Sequence, residues 1–167
     1  IAQLLNKGKP YFTDDDNRFI QEVAGGHPYL LQLAASVLWE LYEEEKEAEK
    51  EENVVKRQQH AKQEFYNRTK ETLNHIWQSW APMTRTVFTF IALAHFKTEP
   101  TFLEPQINLK PNIKNLSQFK DELQQLEQQG FIQKDEQIDN GWRIAPTIFL
   151  DLIADKTEPE LDALFRN

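Results

Sequence analysis

Gly25-Gly26-His27-Pro28-Tyr29-Leu30-Leu31-Gln32 is the stretch on which the fold turns, because one helix has to stop there and another has to start almost at once. Glycine reaches the positive-φ conformations that end a helix, and proline is accepted in a first helical turn, where its missing N–H had no partner to lose. The residues that follow are apolar at 30, 33, 34, 37, 38 and 41, the spacing of one helix face, and Leu31, Ala35, Trp39 and Tyr42 widen it. A helix buried on more than one side is expected.

Upstream, Ile1, Leu4 and Leu5 form a short apolar segment, Lys7 to Pro10 read as a loop, and Thr13 with Asp16 has the spacing of a capping box. Asp14 and Asp15 add negative charge where a helix dipole favours it. The helix they start carries Phe19, Ile20, Val23 and Ala24 on one side and ends at Gly25. Downstream, residues 43–52 hold seven glutamates against two lysines, a local charge of −5, which reads as a solvated helical extension or loop. A long helix follows, with Ala61, Phe65, Thr69, Leu73, Ile76, Trp77 and Trp80 on one stripe, and Pro82 stops it. Two tryptophans on a continuous apolar stripe read as packing rather than as a stacking platform for a base.

After Pro82, Thr84 is placed to cap a helix bearing Val87, Phe88, Ile91, Ala94 and His95. Residues 97–111 contain three prolines and read as loop, with a short strand or turn around Ile107 and Leu109. Ser117 is expected to cap a helix with Phe119, Leu123 and Leu126 on one face and glutamines on the other. Gly130 ends it, and Phe131 is placed to fold back on Leu126. Two short runs, Phe131 to Lys134 and Trp142 to Ile144, flank a turn at Asp139-Asn140-Gly141 and read as a β-hairpin. Pro146 opens a last core helix with Ile148, Phe149, Leu152 and Ile153, and Leu161, Leu164 and Phe165 allow a short amphipathic turn in the acidic tail.

The fold class is therefore mainly α: a three-helix domain over 1–81, a winged helix-turn-helix domain with a small β-hairpin over 82–155, and an acidic tail over 156–167. The 167 residues suffice for one domain or two small ones, and 40% hydrophobic with 28% charged residues is an ordinary globular profile. The absence of cysteine removes disulfides and thiolate chemistry and fits a cytoplasmic location. No run approaches a membrane span and no signal-peptide pattern is present, so no membrane partner is expected. The first residue is Ile1, which fits a fragment of a longer protein.

Catalytic signals are thin. There is no G-x-x-x-x-G-K-[ST] loop and no run ending in paired acids, so this segment is not expected to be an enzyme. His27, His60, His75 and His95 lack metal-ligand spacing, and no metal site or catalytic residue is expected.

Ala24 to Gln32 resembles the glycine-x-proline motif in the helical lid of STAND-class signal-transducing P-loop ATPases, in particular bacterial AAA-like members whose lid carries a G-G-H-P-Y-L-L-Q block. The layout through Leu123, Leu126, Gly130-Phe131-Ile132 and Trp142-Arg143-Ile144 with Pro146 is similar to the winged helix that follows that lid. The resemblance covers roughly residues 1–154, and only the first block is specific. It implies that Pro28 packs near the adenine of a nucleotide, with Gly25, Gly26 and His27 along the same edge. It also implies ATP or ADP with magnesium in the parent protein, held by an upstream ATPase core. The partners are then that core, downstream domains and other protein subunits. Read without the family, the same residues make a tight inter-helix turn with His27 as a cap; either way the turn is expected to face solvent, empty.

The alternative is a DNA-binding winged helix of a transcription or replication factor, whose recognition helix would present Gln118, Lys120, Gln124 and Gln128. Charge argues against nucleic acid. The chain carries −8 overall, and the helix sets Lys120 against Asp121, Glu122 and Glu127. A reader of DNA needs uncompensated cations for phosphates before glutamines can read base edges. A third possibility is a scaffold whose 43–52 segment docks a basic partner.

Overall fold

The structure, a computed structural model, describes residues 12–50, 52–98 and 113–166. These form seven helices and one two-stranded antiparallel sheet, so the chain is mainly α with a small β-hairpin. The expected loop over 7–10 and the strand or turn around Ile107 and Leu109 lie outside the described residues. Contacts divide the chain into two compact units, 1–69 and 70–167. That division falls inside a helix, earlier than Pro82, because Trp77 and Trp80 belong to the aromatic cluster of the second unit.

In the first unit, α1 (Asp14–Ala24) begins at the expected capping box. Asp16 N–H donates to Thr13 Oγ1 at 3.2 Å and Thr13 N–H donates to Asp16 Oδ2 at 3.1 Å. The helix packs against α2 (Pro28–Glu47) through Ile20, Val23 and Ala24. In α2 the buried residues are Leu30, Leu31, Ala34, Val37, Leu38 and Leu41, a single broad face; Trp39 is 40% and Tyr29 60% exposed, so the expected burial on several sides does not hold. α3 (Val54–Ser79) contributes Ala61, Phe65 and Thr69 here. Arg68 of α3 reaches Glu40 of α2 at 2.6 Å on the surface, and that contact holds the Glu40 carboxyl below its ordinary range.

The acidic run is only partly solvated. α2 extends to Glu47 and stops in a Schellman arrangement: Lys50 N–H donates to Glu45 O at 3.0 Å and Glu49 N–H to Lys46 O at 3.3 Å, with Glu49 at φ 51°. Glu45 leaves the solvated face altogether, with its side chain 12% exposed against Arg57.

The second unit is organised around α4 (Pro82–Thr98), which packs on α5 (Lys120–Gln128), on α6 (Ile148–Ala154), on α7 (Glu158–Phe165) and on strand β2 (Trp142–Ile144). Its Val87, Phe88, Ile91, Ala92 and Phe96 are all buried. Trp80 stands at the centre of the aromatic core, with ring centroids 4.9 Å from Phe88, 5.1 Å from Phe131 and 6.0 Å from Phe149. Pro82 is the first residue of α4, and Thr84 sits inside that helix, buried, rather than capping it. α4 runs to Thr98, so Lys97 is helical.

Ser117 does not cap α5. The helix starts at Lys120 behind Phe119, while Ser117 Oγ donates to Asn115 Oδ1 at 2.5 Å in the preceding turn. The C-terminus is as expected: Gly130 takes φ 80°, Gly130 N–H donates to Glu127 O at 3.0 Å and Phe131 N–H to Leu126 O at 2.9 Å, with Leu126 and Phe131 both buried. Strand β1 (Ile132–Lys134) pairs with β2 in the register Ile132 to Ile144, Gln133 to Arg143, Lys134 to Trp142. The connection is longer than a two-residue turn, spanning 135–141, and Asn140-Gly141 forms its closing end, where Asn140 Oδ1 accepts Trp142 N–H at 3.0 Å. His95 is buried in α4, and its Nδ1 accepts Ile144 N–H at 3.1 Å, fastening helix to strand. The tail is ordered as α7 behind a second capping box, Thr157 with Glu160, and it buries Leu161 and Phe165.

Candidate functional site

The turn between α1 and α2 has one residue that must be glycine. Gly25 sits at φ 61°, ψ −145°, a region closed to residues with a Cβ, and its N–H closes α1 on Gln21 O at 2.8 Å. Gly26 has no positive φ, and a Cβ there would meet open space, so the expectation that both glycines supply special backbone is corrected to one. His27 occupies the N-cap position of α2 in extended backbone but makes no side-chain cap bond; its carbonyl accepts Leu31 N–H at 2.9 Å. Pro28 stands at the first helical position and is exposed, as is Gly26, while Gly25 and His27 are half-buried. The four residues thus lie together on a surface-facing helix start.

Lys120, Gln124 and Gln128 share one exposed stripe of α5, four residues apart, and Gln118 lies exposed in the turn before it. Asp121 and Glu122 occupy the same first turn as Lys120. On the hairpin, Lys134 Nζ stands 5.9 Å from the Trp142 ring centre. Asp121 and Glu127 are exposed on the same helix as Lys120.

The constellation that the residue pattern did not bring together lies in the first unit. Arg57, 6% exposed, sends Nε to Glu45 Oε1 at 2.8 Å and Nη2 to Glu45 Oε2 at 2.9 Å, a fork-on-fork pair. Its Nη2 also reaches Glu52 O at 2.9 Å and its Nη1 donates to Tyr42 Oη at 3.1 Å, with the guanidinium 4.2 Å from the Tyr42 ring centre. Tyr42 Oη in turn donates to Asp16 Oδ2 at 2.5 Å. Burial, the Asp16 hydrogen bond and the Asp16 charge push the Tyr42 hydroxyl up to about 12, and the Glu45 pair raises Arg57 above its ordinary value. The signal was present: Arg57, Ala61, Phe65, Thr69, Leu73 and Trp77 recur every four residues, and all six are buried. Read from sequence, the stripe begins at Ala61, because arginine does not announce burial.

This network joins the start of α1, the end of α2 and the start of α3 by charge-assisted bonds, with Asp16 Oδ1 alone of its buried polar atoms meeting no partner among the described residues. It positions helices; nothing in it is aimed at a substrate. A cavity of about 330 Å³ opens beside α2, lined by Phe12, Ala35, Ser36, Trp39 and Glu40, and residues 25–28 take no part in it. Among the described residues no three His, Cys, Asp or Glu side chains are grouped to hold a metal, and no helix is long and apolar enough to cross a membrane.

No protein-family profile, curated protein or solved structure matches the chain.

Proposed function

We propose that the chain is the lid and winged-helix portion of a cytoplasmic STAND-type ATPase, closing over nucleotide held by a core upstream of Ile1 and passing the nucleotide state on through protein contacts. What supports the reading is the helix start at Pro28. A glycine-only residue turns the chain, the N-cap His27 makes no side-chain cap bond to the first turn of α2, and the proline face lies at the surface beside it. A helix N-terminus with its positive dipole end and a flat proline suit the edge of a bound base.

For the second unit, α4, α5 and the hairpin follow one another in the order of a winged helix. We assign it to protein contact, because Lys120 is outnumbered by the acids of its own helix and an anionic surface repels phosphate backbones.

The test is nucleotide binding by a chain that includes the residues encoded before Ile1. ADP or ATP with magnesium should bind, and Pro28→Ala should weaken binding about tenfold, equivalent to ~1.4 kcal/mol. Wild-type affinity in Pro28→Ala, or an upstream sequence without a phosphate-binding loop, overturns the reading. Gel-shift titration at two salt concentrations probes the DNA alternative, which a steep salt slope and sequence-specific binding would favour.

A further inference from the structure

Asn140 is the only asparagine of the chain that is followed by a glycine, and the hairpin connection uses both residues. Gly141 takes φ 80°, a backbone conformation that favours glycine. Asn140 Oδ1 accepts Trp142 N–H at 3.0 Å, the bond to the backbone two residues on that suits asparagine to turns. The same pair is chemically reactive. The Gly141 nitrogen is one five-membered ring away from the Asn140 side-chain carbonyl, no side chain shields it, and nothing stands within 4 Å of where a Cβ would be.

The folded backbone keeps the two groups from reacting. Gly141 N–H donates to Ile138 O at 2.8 Å, so the proton that must leave the nucleophile is held. Asp135 N–H donates to Gly141 O at 2.9 Å and fixes the next carbonyl, while Asn140 Oδ1 is tied to Trp142. Asn140 Nδ2 is shielded from solvent and meets no acceptor among the described residues, so losing it removes none of the hydrogen bonds described here. We infer that Asn140 is a modification site, losing ammonia by ring closure onto Gly141 at a rate set by opening of the 135–141 connection.

The step needs only water and hydroxide. Once the bond to Ile138 O opens, hydroxide takes the Gly141 amide proton, the nitrogen attacks Asn140 Cγ, and the Cγ–Nδ2 bond breaks. Nδ2 leaves as ammonia with a proton from water. Water then opens the succinimide at Cγ, giving aspartate, or at the Asn140 backbone carbonyl, giving isoaspartate. Either product adds one negative charge. Aspartate keeps an oxygen for Trp142 N–H, but isoaspartate routes the main chain through Cβ and Cγ, one atom longer, beside the Lys134–Trp142 pair at which the strands meet the connection. The reaction lies within the second unit and is independent of the nucleotide edge assigned to Pro28.

The experiment is incubation of the full chain at pH 8 and 37 °C, beside a synthetic peptide of residues 134–144, with peptide mapping by mass spectrometry that separates aspartate from isoaspartate at 140. Exchange of the Gly141 amide hydrogen is followed by NMR under the same conditions. Asn140 should be lost at least about tenfold more slowly in the folded chain than in the peptide, and the slowing should match the Gly141 amide protection within about threefold, since one opening gates both. Asp135→Ala removes the acceptor that holds Gln137 N–H at 3.0 Å in the exposed connection, and should speed ammonia loss and exchange to the same degree. Chains carrying isoaspartate should lose protection of the Trp142 amide, and Asn140→Asp should keep it. Loss at the peptide's rate, an Asn140 that stays intact while Gly141 exchanges freely, or an Asp135→Ala variant that moves one rate without the other overturns the proposal. Loss of Trp142 protection in Asn140→Asp overturns the role given to isoaspartate.

Discussion

Arg57 and Glu45 meet through two parallel hydrogen bonds, 2.8 and 2.9 Å long, with side chains only 8% and 12% exposed. Their pairing draws Glu45 of the acidic run against the buried Arg57. Removing one partner leaves the other charge buried and unanswered, which typically costs about 3–5 kcal/mol. Arg57→Ala is expected to fall in that range by urea denaturation. Glu45→Gln keeps the size and one acceptor, so it should cost less. A double variant, Arg57→Met with Glu45→Leu, should recover much of the loss, because no uncompensated charge remains; additive losses would show that the pair is not coupled.

The α1–α2 turn gives an asymmetric prediction for two adjacent glycines. Gly25→Ala forces a Cβ into φ 61°, ψ −145° and should cost about 1–3 kcal/mol. Gly26→Ala meets open space without a positive φ, and should be neutral or stabilising by up to ~1 kcal/mol through the unfolded chain. Urea midpoints of the two variants check this directly. Equal effects would mean that the turn has another backbone.

At the end of α2 a position that favours glycine holds a glutamate instead. Glu49 takes φ 51° in a Schellman position where glycine is the usual occupant. A residue with a Cβ pays roughly 1–2 kcal/mol there. Glu49→Gly is therefore expected to stabilise the first unit by about 0.5–1 kcal/mol despite the added freedom of the unfolded chain, measurable as a rise in urea midpoint.

What the sequence made legible follows from which signals are local. The Thr13–Asp16 box, the Gly130 stop with Phe131 on Leu126 and the hairpin strands are all set by neighbours a few residues apart, and all were readable. Helix starts at Ser117 and Thr84 were misplaced because a hydroxyl near a helix start is only one way to satisfy its first N–H groups. Pro82 does both jobs: the long helix ends at Ser79, just before it, and Pro82 is the first residue of the next. The Asp16–Tyr42–Arg57–Glu45 network was invisible because its members are 26, 15 and 12 residues apart along the chain, and each alone looks like a surface residue. The Gly25 to Pro28 turn was legible as backbone, since positive φ and proline at a helix start are properties of single residues.

Tyr42 supplies a pH test of that network. Its hydroxyl donates to Asp16 Oδ2, accepts from Arg57 Nη1, and is pushed up to about 12 from the usual 10, first by burial and then by the Asp16 bond and charge. The folded state therefore favours the neutral phenol. Its contribution to stability is fully present below pH 10, and is lost as pH rises through 10 towards 12, where the folded protein at last ionises. Absorbance titration of the four tyrosines at 295 nm should show one ionising well after the unfolded value, and Tyr42→Phe should remove that late step. Tyr42→Phe also deletes the donor to Asp16, whose other oxygen, Oδ1, is already buried without a partner among the described residues. The variant should accordingly be less stable than wild type at pH 8 by about 1–3 kcal/mol. The gap should narrow above pH 10, because only the wild type has a phenol to lose. A gap that stays constant to pH 12 would mean that Tyr42 ionises as an ordinary surface tyrosine and that the Arg57–Tyr42–Asp16 chain of hydrogen bonds does not persist in solution.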